Sequence, residues 1–145
     1  SWVRVAAGQI YLFSDVLCAW AYFSEPRIAE VERNFRESVA ITYRFLPVFG
    51  DMAGKIAASW QSKGGYDAFA DHTHHNAKQF PELHISAKIW REACPASSLS
   101  PHLYLKADEL CEKEGHCPAG TFAQALSTMR VAFFAHGHDI ALPEV

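Results

Sequence analysis

Apolar residues fall in two dense runs near the amino end and recur at one-turn spacings through most of the remaining chain. Residues 9–15 read QIYLFSD, where Ile10, Tyr11, Leu12 and Phe13 predict a short strand. From Cys18 to residue 36 the pattern turns helical. Tyr22, Ile28, Ala29, Val31 and Phe35 recur between Glu25, Glu30, Arg33 and Arg36. Pro26 offers no amide to the carbonyl of Tyr22, so this helix is expected to kink or break there. Residues 39–46 (VAITYRFL) predict a second strand, with Val39, Ile41, Tyr43 and Phe45 on one face. Strand, helix and strand at this spacing make a βαβ unit, which requires parallel strands and a right-handed crossover.

Residues 47–51 close that unit, and no strand is predicted beyond them. Four helices are expected, over 53–61, 65–79, 97–113 and 119–136. Pro101 suits the first turn of the third, with Ser98 or Ser100 as its cap, and Gly115 suits its stop. Phe122, Leu126, Met129, Val131, Phe133 and Phe134 make the fourth dense enough to be largely buried. Residues 80–86 (FPELHIS) read as a loop. The fold class is therefore α/β, with a βαβ unit over 1–50 and a helical unit over 51–145. Two parallel strands rarely stand alone, so the sheet is expected to be finished by residues outside this chain or by another copy of it.

Composition narrows the function classes. The 145 residues are 50% hydrophobic and 20% charged, with a net charge of −3. That excludes a disordered chain, and without an excess of Lys and Arg no nucleic-acid partner is expected. The longest apolar run, residues 16–23, is far shorter than the roughly 20 residues a membrane span needs, so no membrane partner is expected either. Residues 1–8 lack the pattern of a secretion signal, although a mature chain would lack it as well. The four cysteines, Cys18, Cys94, Cys111 and Cys117, form no C-x-x-C pair and no disulfide framework. A cytoplasmic location follows as the expectation.

The chemistry concentrates in residues 14–23, SDVLCAWAYF. Cys18 follows a strand and opens a helix, where unpaired amides and the helix dipole favour a thiolate. Such a dipole is worth roughly 0.3–1 kcal/mol, and up to about 2 when partly buried, or about 0.2 to 1.5 in pKa. Asp15 and burial against Trp20 and Tyr22 oppose ionisation, so a moderately activated thiol is expected. The competing reading is a small buried hydrophobe at a helix start.

The strand followed by Cys18-Ala19-Trp20-Ala21, Tyr22 and Pro26 resembles the active site of the DsbA-like, thioredoxin-fold family. Phe45-Leu46-Pro47, Pro95-Ala96-Ser97-Ser98 with His102, and Arg130-Val131-Ala132-Phe133-Phe134 followed by Gly137-His138-Asp139-Ile140 extend the resemblance. They are similar to the helical insertion of DsbA-like proteins, including the FrnE and 2-hydroxychromene-2-carboxylate isomerase branches. The resemblance implies a thioredoxin-like βαβ unit carrying the active-site cysteine, then an all-helical insertion. It implies Cys18 as the catalytic residue, Ala19, Trp20 and Ala21 as the motif around it, and Trp20 and Tyr22 as substrate-binding residues.

Two departures qualify what the resemblance implies. Ala21 stands where a dithiol oxidoreductase carries its resolving cysteine, so an internal disulfide cannot close. Single-cysteine exchange through a mixed disulfide remains, with a small thiol or a protein thiol or disulfide as partner. No cofactor is expected to be tightly bound, and glutathione is the expected co-substrate. The alternatives are a glutathione-dependent isomerase or transferase, whose branch uses Ser where Cys18 stands, and a non-enzymatic truncated domain. The family's closing β-hairpin and helix find no counterpart before Val145, which leaves a homo-oligomer through the unfinished sheet open.

Other clusters read more plainly. Asp71, His72, His74 and His75 share one predicted helix at ligand-like spacing, but a solvated polar face is the reading and no metal site is expected. His136 and His138 read as structural, and Cys94 as a core or loop residue. Cys111 and Cys117 flank a helix stop and could close a short loop, although a reducing cytosol disfavours it. Trp60 and Trp90 read as core, with a helical insertion able to present either one to the active-site groove.

Overall fold

Strand β1 (Gly8–Ser14) pairs in parallel with β2 (Val39–Phe45), and helix α1 (Ala19–Phe35) connects them. The computed structural model describes residues 8–141. The secretion-signal reading of residues 1–8 and the outer limits of the two expected units fall largely outside that range. Pairing sets Leu12 beside Tyr43 and Ser14 beside Phe45, so these four share one face of the sheet. The opposite face carries Tyr11 and Phe13, which are 53% and 64% exposed among the described residues. Leu46, expected to end β2, lies just past it, yet its amide still donates to the Ser14 carbonyl at 2.9 Å.

Helix α1 runs unbroken through Pro26, where a kink or a break is expected. Buried Tyr22 and Phe23 anchor the turn before the proline, and half-buried Ile28 and Val31 anchor the turns after it. Neighbouring carbonyls gain side-chain donors: the Ser24 hydroxyl bonds Trp20 O at 2.8 Å, and the Arg27 guanidinium bonds Phe23 O at 3.2 Å. Tertiary packing here outweighs one missing amide.

Beyond the sheet come α2 (Met52–Ser59), a 3-10 turn (Gln61–Lys63), α3 (Gly65–Ala77), α4 (Leu99–Lys113) and α5 (Thr121–Arg130), which widens into a π turn (Val131–Ala135). The expected fourth helix is thus two segments. Its last bonds switch to five-residue spacing, His136 N–H donating to Val131 O at 3.1 Å. Gly137 then turns left-handed at φ 66°, where a β-carbon would fall 2.7 Å from both Ser86 Oγ and Lys88 Cβ. Ser98 stands at the start of α4 as expected, but its hydroxyl does not cap the helix.

One cluster of buried side chains joins these parts. Tyr22 stacks on Phe134 at 4.7 Å, Phe133 meets Trp90 edge-on at 5.0 Å, and Trp90 stacks on Phe49 at 5.9 Å. Tyr43 and Phe45 on the sheet pack against Phe122 of α5. Phe133→Ala is expected to lower the unfolding free energy by about 3–5 kcal/mol, because it empties a fully enclosed ring site. Urea denaturation checks this, and a loss below about 1 kcal/mol would contradict the packing described.

Candidate active site

A buried carboxylate organises the segment that carries Cys18. Asp15, only 1% exposed, follows directly after β1. Its Oδ1 accepts from Leu17 N–H at 2.9 Å, and its Oδ2 accepts from Phe49 N–H at 2.9 Å and from the Ser98 hydroxyl at 2.7 Å. Two chain segments distant in sequence are thereby held to the side chain that also closes its own turn. Next to it, Val16 N–H donates to His102 Nε2 at 2.9 Å, and the His102 ring stacks on Phe45 at 4.6 Å. Ser98 N–H to Phe49 O and Met52 N–H to Ala96 O complete the joint.

Burial pushes the Asp15 carboxyl up. The hydrogen bonds around it, with His102, the Phe49 and Leu17 amides and the Ser98 hydroxyl, reverse that and hold it below the ordinary carboxylate range. His102 Nε2 lies 3.4 Å from Oδ1 and accepts from Val16 N–H at 2.9 Å.

On this joint, Cys18 takes the position before the first helical residue of α1, in extended conformation. Its amide donates to Asp15 O at 3.0 Å and its carbonyl accepts from Tyr22 N–H at 3.2 Å. No side chain caps this helix end and no acidic residue lies in its first turn. The leading amides of α1 have no acceptor within the helix, which leaves the positive end of its dipole beside a half-buried thiol.

Two clefts meet at Cys18. The first, about 320 Å³, lies between the sheet and α1 and is bordered by Leu12, Ser14, Trp20, Ala21, Ile28 and Arg130. The second, about 220 Å³, opens toward the helices and is bordered by Phe49, Lys55, Trp60, Phe69, His72 and Trp90. Trp20, half exposed, borders both and meets Phe23 and Phe80 edge-on.

Arg130 lies at the edge of the first cleft, buried to 1% exposure. Its Nη1 donates to Glu25 Oε1 at 3.1 Å and its Nη2 to Ser14 Oγ at 3.3 Å, while its Nε has no partner among the described residues. Burial pushes the Glu25 carboxyl up, and the Arg130 charge only partly opposes this.

Of the residues expected from the sequence, Cys18, Trp20 and Ala21 border the first cleft, and Cys18, Ala19 and Trp20 the second. Tyr22 does not join them. Expected to bind substrate, it is buried, stacks on Phe134 and donates its hydroxyl to His84 O at 3.1 Å. Its ring is thereby taken up by the aromatic core. Trp60 and Trp90 belong to the core and also border the second cleft. His72 tilts against Trp60, Asp71 pairs with Arg91, and no metal-holding group of three occurs among the described residues.

No local pattern in the sequence joins Asp15, Ser98 and His102. The readable signal was one charged residue lodged between two apolar runs, a position where burial demands several donors. Arg130 and Glu25, 105 positions apart, left no comparable local signal.

No family model matches the chain, and no curated protein matches its sequence. Among solved structures it is similar to one described as a "putative protein disulfide isomerase" from Nitrosomonas europaea, with a TM-score of 0.62 at 13% identity. The match covers 92% of this chain and 58% of that one, so the chain spans under two thirds of its neighbour's length. The fold is thus thioredoxin-like, a βαβ unit followed by helices, of the kind found in DsbA-like proteins.

The two buried carboxyls should pull acid stability in opposite directions. Asp15 titrates lower folded than unfolded, so its contribution is complete above roughly pH 4 and fades as pH falls through the folded value. Glu25 titrates higher folded than unfolded, so protonating it as pH falls toward 4 to 5 favours the folded state. Asp15→Asn should cost about 1–3 kcal/mol at pH 7, since either amide orientation sets a donor against Leu17 or Phe49 N–H, and should flatten the loss below about pH 4. Glu25→Gln should remove the opposing slope above it. Denaturant midpoints across pH 3–7 check both signs, and an unchanged acid limb in Asp15→Asn would refute the first.

Proposed function

We propose that this chain carries out thiol–disulfide exchange through Cys18 alone. The observation that carries the reading is a half-buried thiol at an uncapped helix end where two clefts meet, with Ala21 three residues on. The thioredoxin-like fold supports it without assigning the chemistry.

The Cys18 thiolate attacks one sulfur of a substrate disulfide, and the other sulfur leaves as a thiolate that takes up a proton. A mixed disulfide between Cys18 and substrate results. Ala21 has no sulfur with which to displace it, so a second small thiol such as glutathione attacks the mixed disulfide. That step returns the Cys18 thiolate and carries the substrate sulfur away as a new disulfide. The first cleft gives this thiol its approach, since Ala21 and Cys18 both border it. Trp20 separates the approach from the aromatic cleft on its other side, where the substrate's remaining groups would lie.

The two clefts also suit a second reading, a glutathione-dependent isomerase or transferase in which one cleft takes the thiol and the other an apolar substrate. In that case Cys18 orients a bound thiolate without being attacked, and Cys18→Ser retains turnover. The exchange reading predicts the reverse. With oxidised glutathione, the tryptic peptide of residues 5–27, which has Cys18 as its one cysteine, should gain a reductant-sensitive glutathione adduct. Cys18→Ser should abolish both adduct and disulfide reduction. Ala21→Cys should replace the adduct with an internal disulfide. Absence of any adduct on the 5–27 peptide of the native chain would sink the exchange reading.

A further inference from the structure

Cys111 lies in the last turn of α4, and Cys117 lies six residues on, past the helix stop. The stop brings them together. His116 N–H donates to Cys111 O at 2.9 Å and Gly115 N–H to Glu112 O at 3.1 Å, with Gly115 left-handed at φ 76°. This paired closure folds the chain back over the helix end. The Cys117 thiol then bonds the Asp108 carbonyl, with its sulfur at 3.9 Å. Helical side chains lean toward the preceding turn, so the Cys111 side chain leans over the same Asp108 turn.

Both cysteines thus lie at the Asp108 turn. The neighbouring Cys117 thiol is the main reason the Cys111 thiol is pushed up, with burial and the nearby Asp108 and Glu114 adding to it. Both side chains remain half exposed and unbridged. The return loop is pinned at its far side, because the Glu112 carboxylate accepts from Gly120 N–H and from Phe122 N–H at the start of α5.

We propose that Cys111 and Cys117 form a second, redox-active dithiol that a small-molecule disulfide, such as oxidised glutathione, converts to an intramolecular disulfide. One cysteine thiolate attacks the glutathione disulfide and expels a glutathione thiolate. The other cysteine thiolate attacks the resulting mixed disulfide and expels the second. Two cysteine thiols are oxidised, one disulfide is reduced, and the two protons end on two molecules of glutathione. The product staples the end of α4 to the turn leading into α5. It does not depend on the chemistry of Cys18.

Lys113 lies between the two cysteines, so trypsin cuts the loop and makes the bridge readable. After exposure of the folded chain to oxidised glutathione and alkylation of free thiols, peptides 107–113 and 114–130 should remain joined. Their mass should be two hydrogens below the sum, and reductant should separate them. In Cys117→Ser, peptide 107–113 should carry glutathione instead. In glutathione buffers, the folded chain should reach half-oxidation at a ratio of oxidised glutathione to the square of reduced glutathione lower, by roughly tenfold or more, than the urea-unfolded chain, because the thiols are already oriented. Separate peptides bearing only glutathione or alkyl groups would overturn the proposal, as would equal ratios in folded and unfolded chains. The 5–27 peptide reports on Cys18 in the same digest, so failure at either site is distinguishable from failure at the other.

Discussion

The Asp15 carboxylate is the constraint on which the site depends. A strand end, a helix start, the loop after β2 and the start of α4 are four mobile kinds of element, and each brings polar groups that must be satisfied if buried. One carboxylate takes two amides and a hydroxyl from them, at 2.7 to 2.9 Å. A charged acceptor suits this role better than an amide, because both of its oxygens accept and neither donates. The Ser98 hydroxyl, at the start of α4, serves this carboxylate and caps no amide of its own helix.

Periodicity made much of the fold legible. Strand-like runs at Ile10–Phe13 and Val39–Phe45 pair as expected, because their apolar positions suit no other element of that length. The Pro26 break did not occur, since a proline costs one bond while the rings beside it secure a whole turn. The split of the last helix at Arg130 was not legible either. Its hydrophobic density runs on through Phe134, and an α turn and a π turn read alike in composition.

The site was legible in its reactive atom and less so in its surroundings. Cys18 announces itself through position, following a strand and opening a helix, which short-range sequence can express. Tyr22, which the family resemblance implies as a substrate contact, is buried with its hydroxyl on His84 O, a partner 62 positions away that no local window shows. The partners that hold the site arrive from far along the chain: Ser98 and His102 on α4, Arg130 at the end of α5. Nothing in a local window links them to Cys18.

The helical part therefore has a dual relation to the thiol. Through Ser98 and His102 it fixes the loop beneath Cys18, and through Trp60, Phe69 and Trp90 it walls one of the two clefts above. For a cysteine with no resolving neighbour this matters. A dithiol site carries its second nucleophile on its own helix, whereas a single thiol depends on an external one that must approach in line with the sulfur–sulfur bond. Two clefts give the substrate's remaining groups and the second thiol separate room around the same mixed disulfide. The space beside Ala21 is thus as much a part of the proposed chemistry as the sulfur of Cys18.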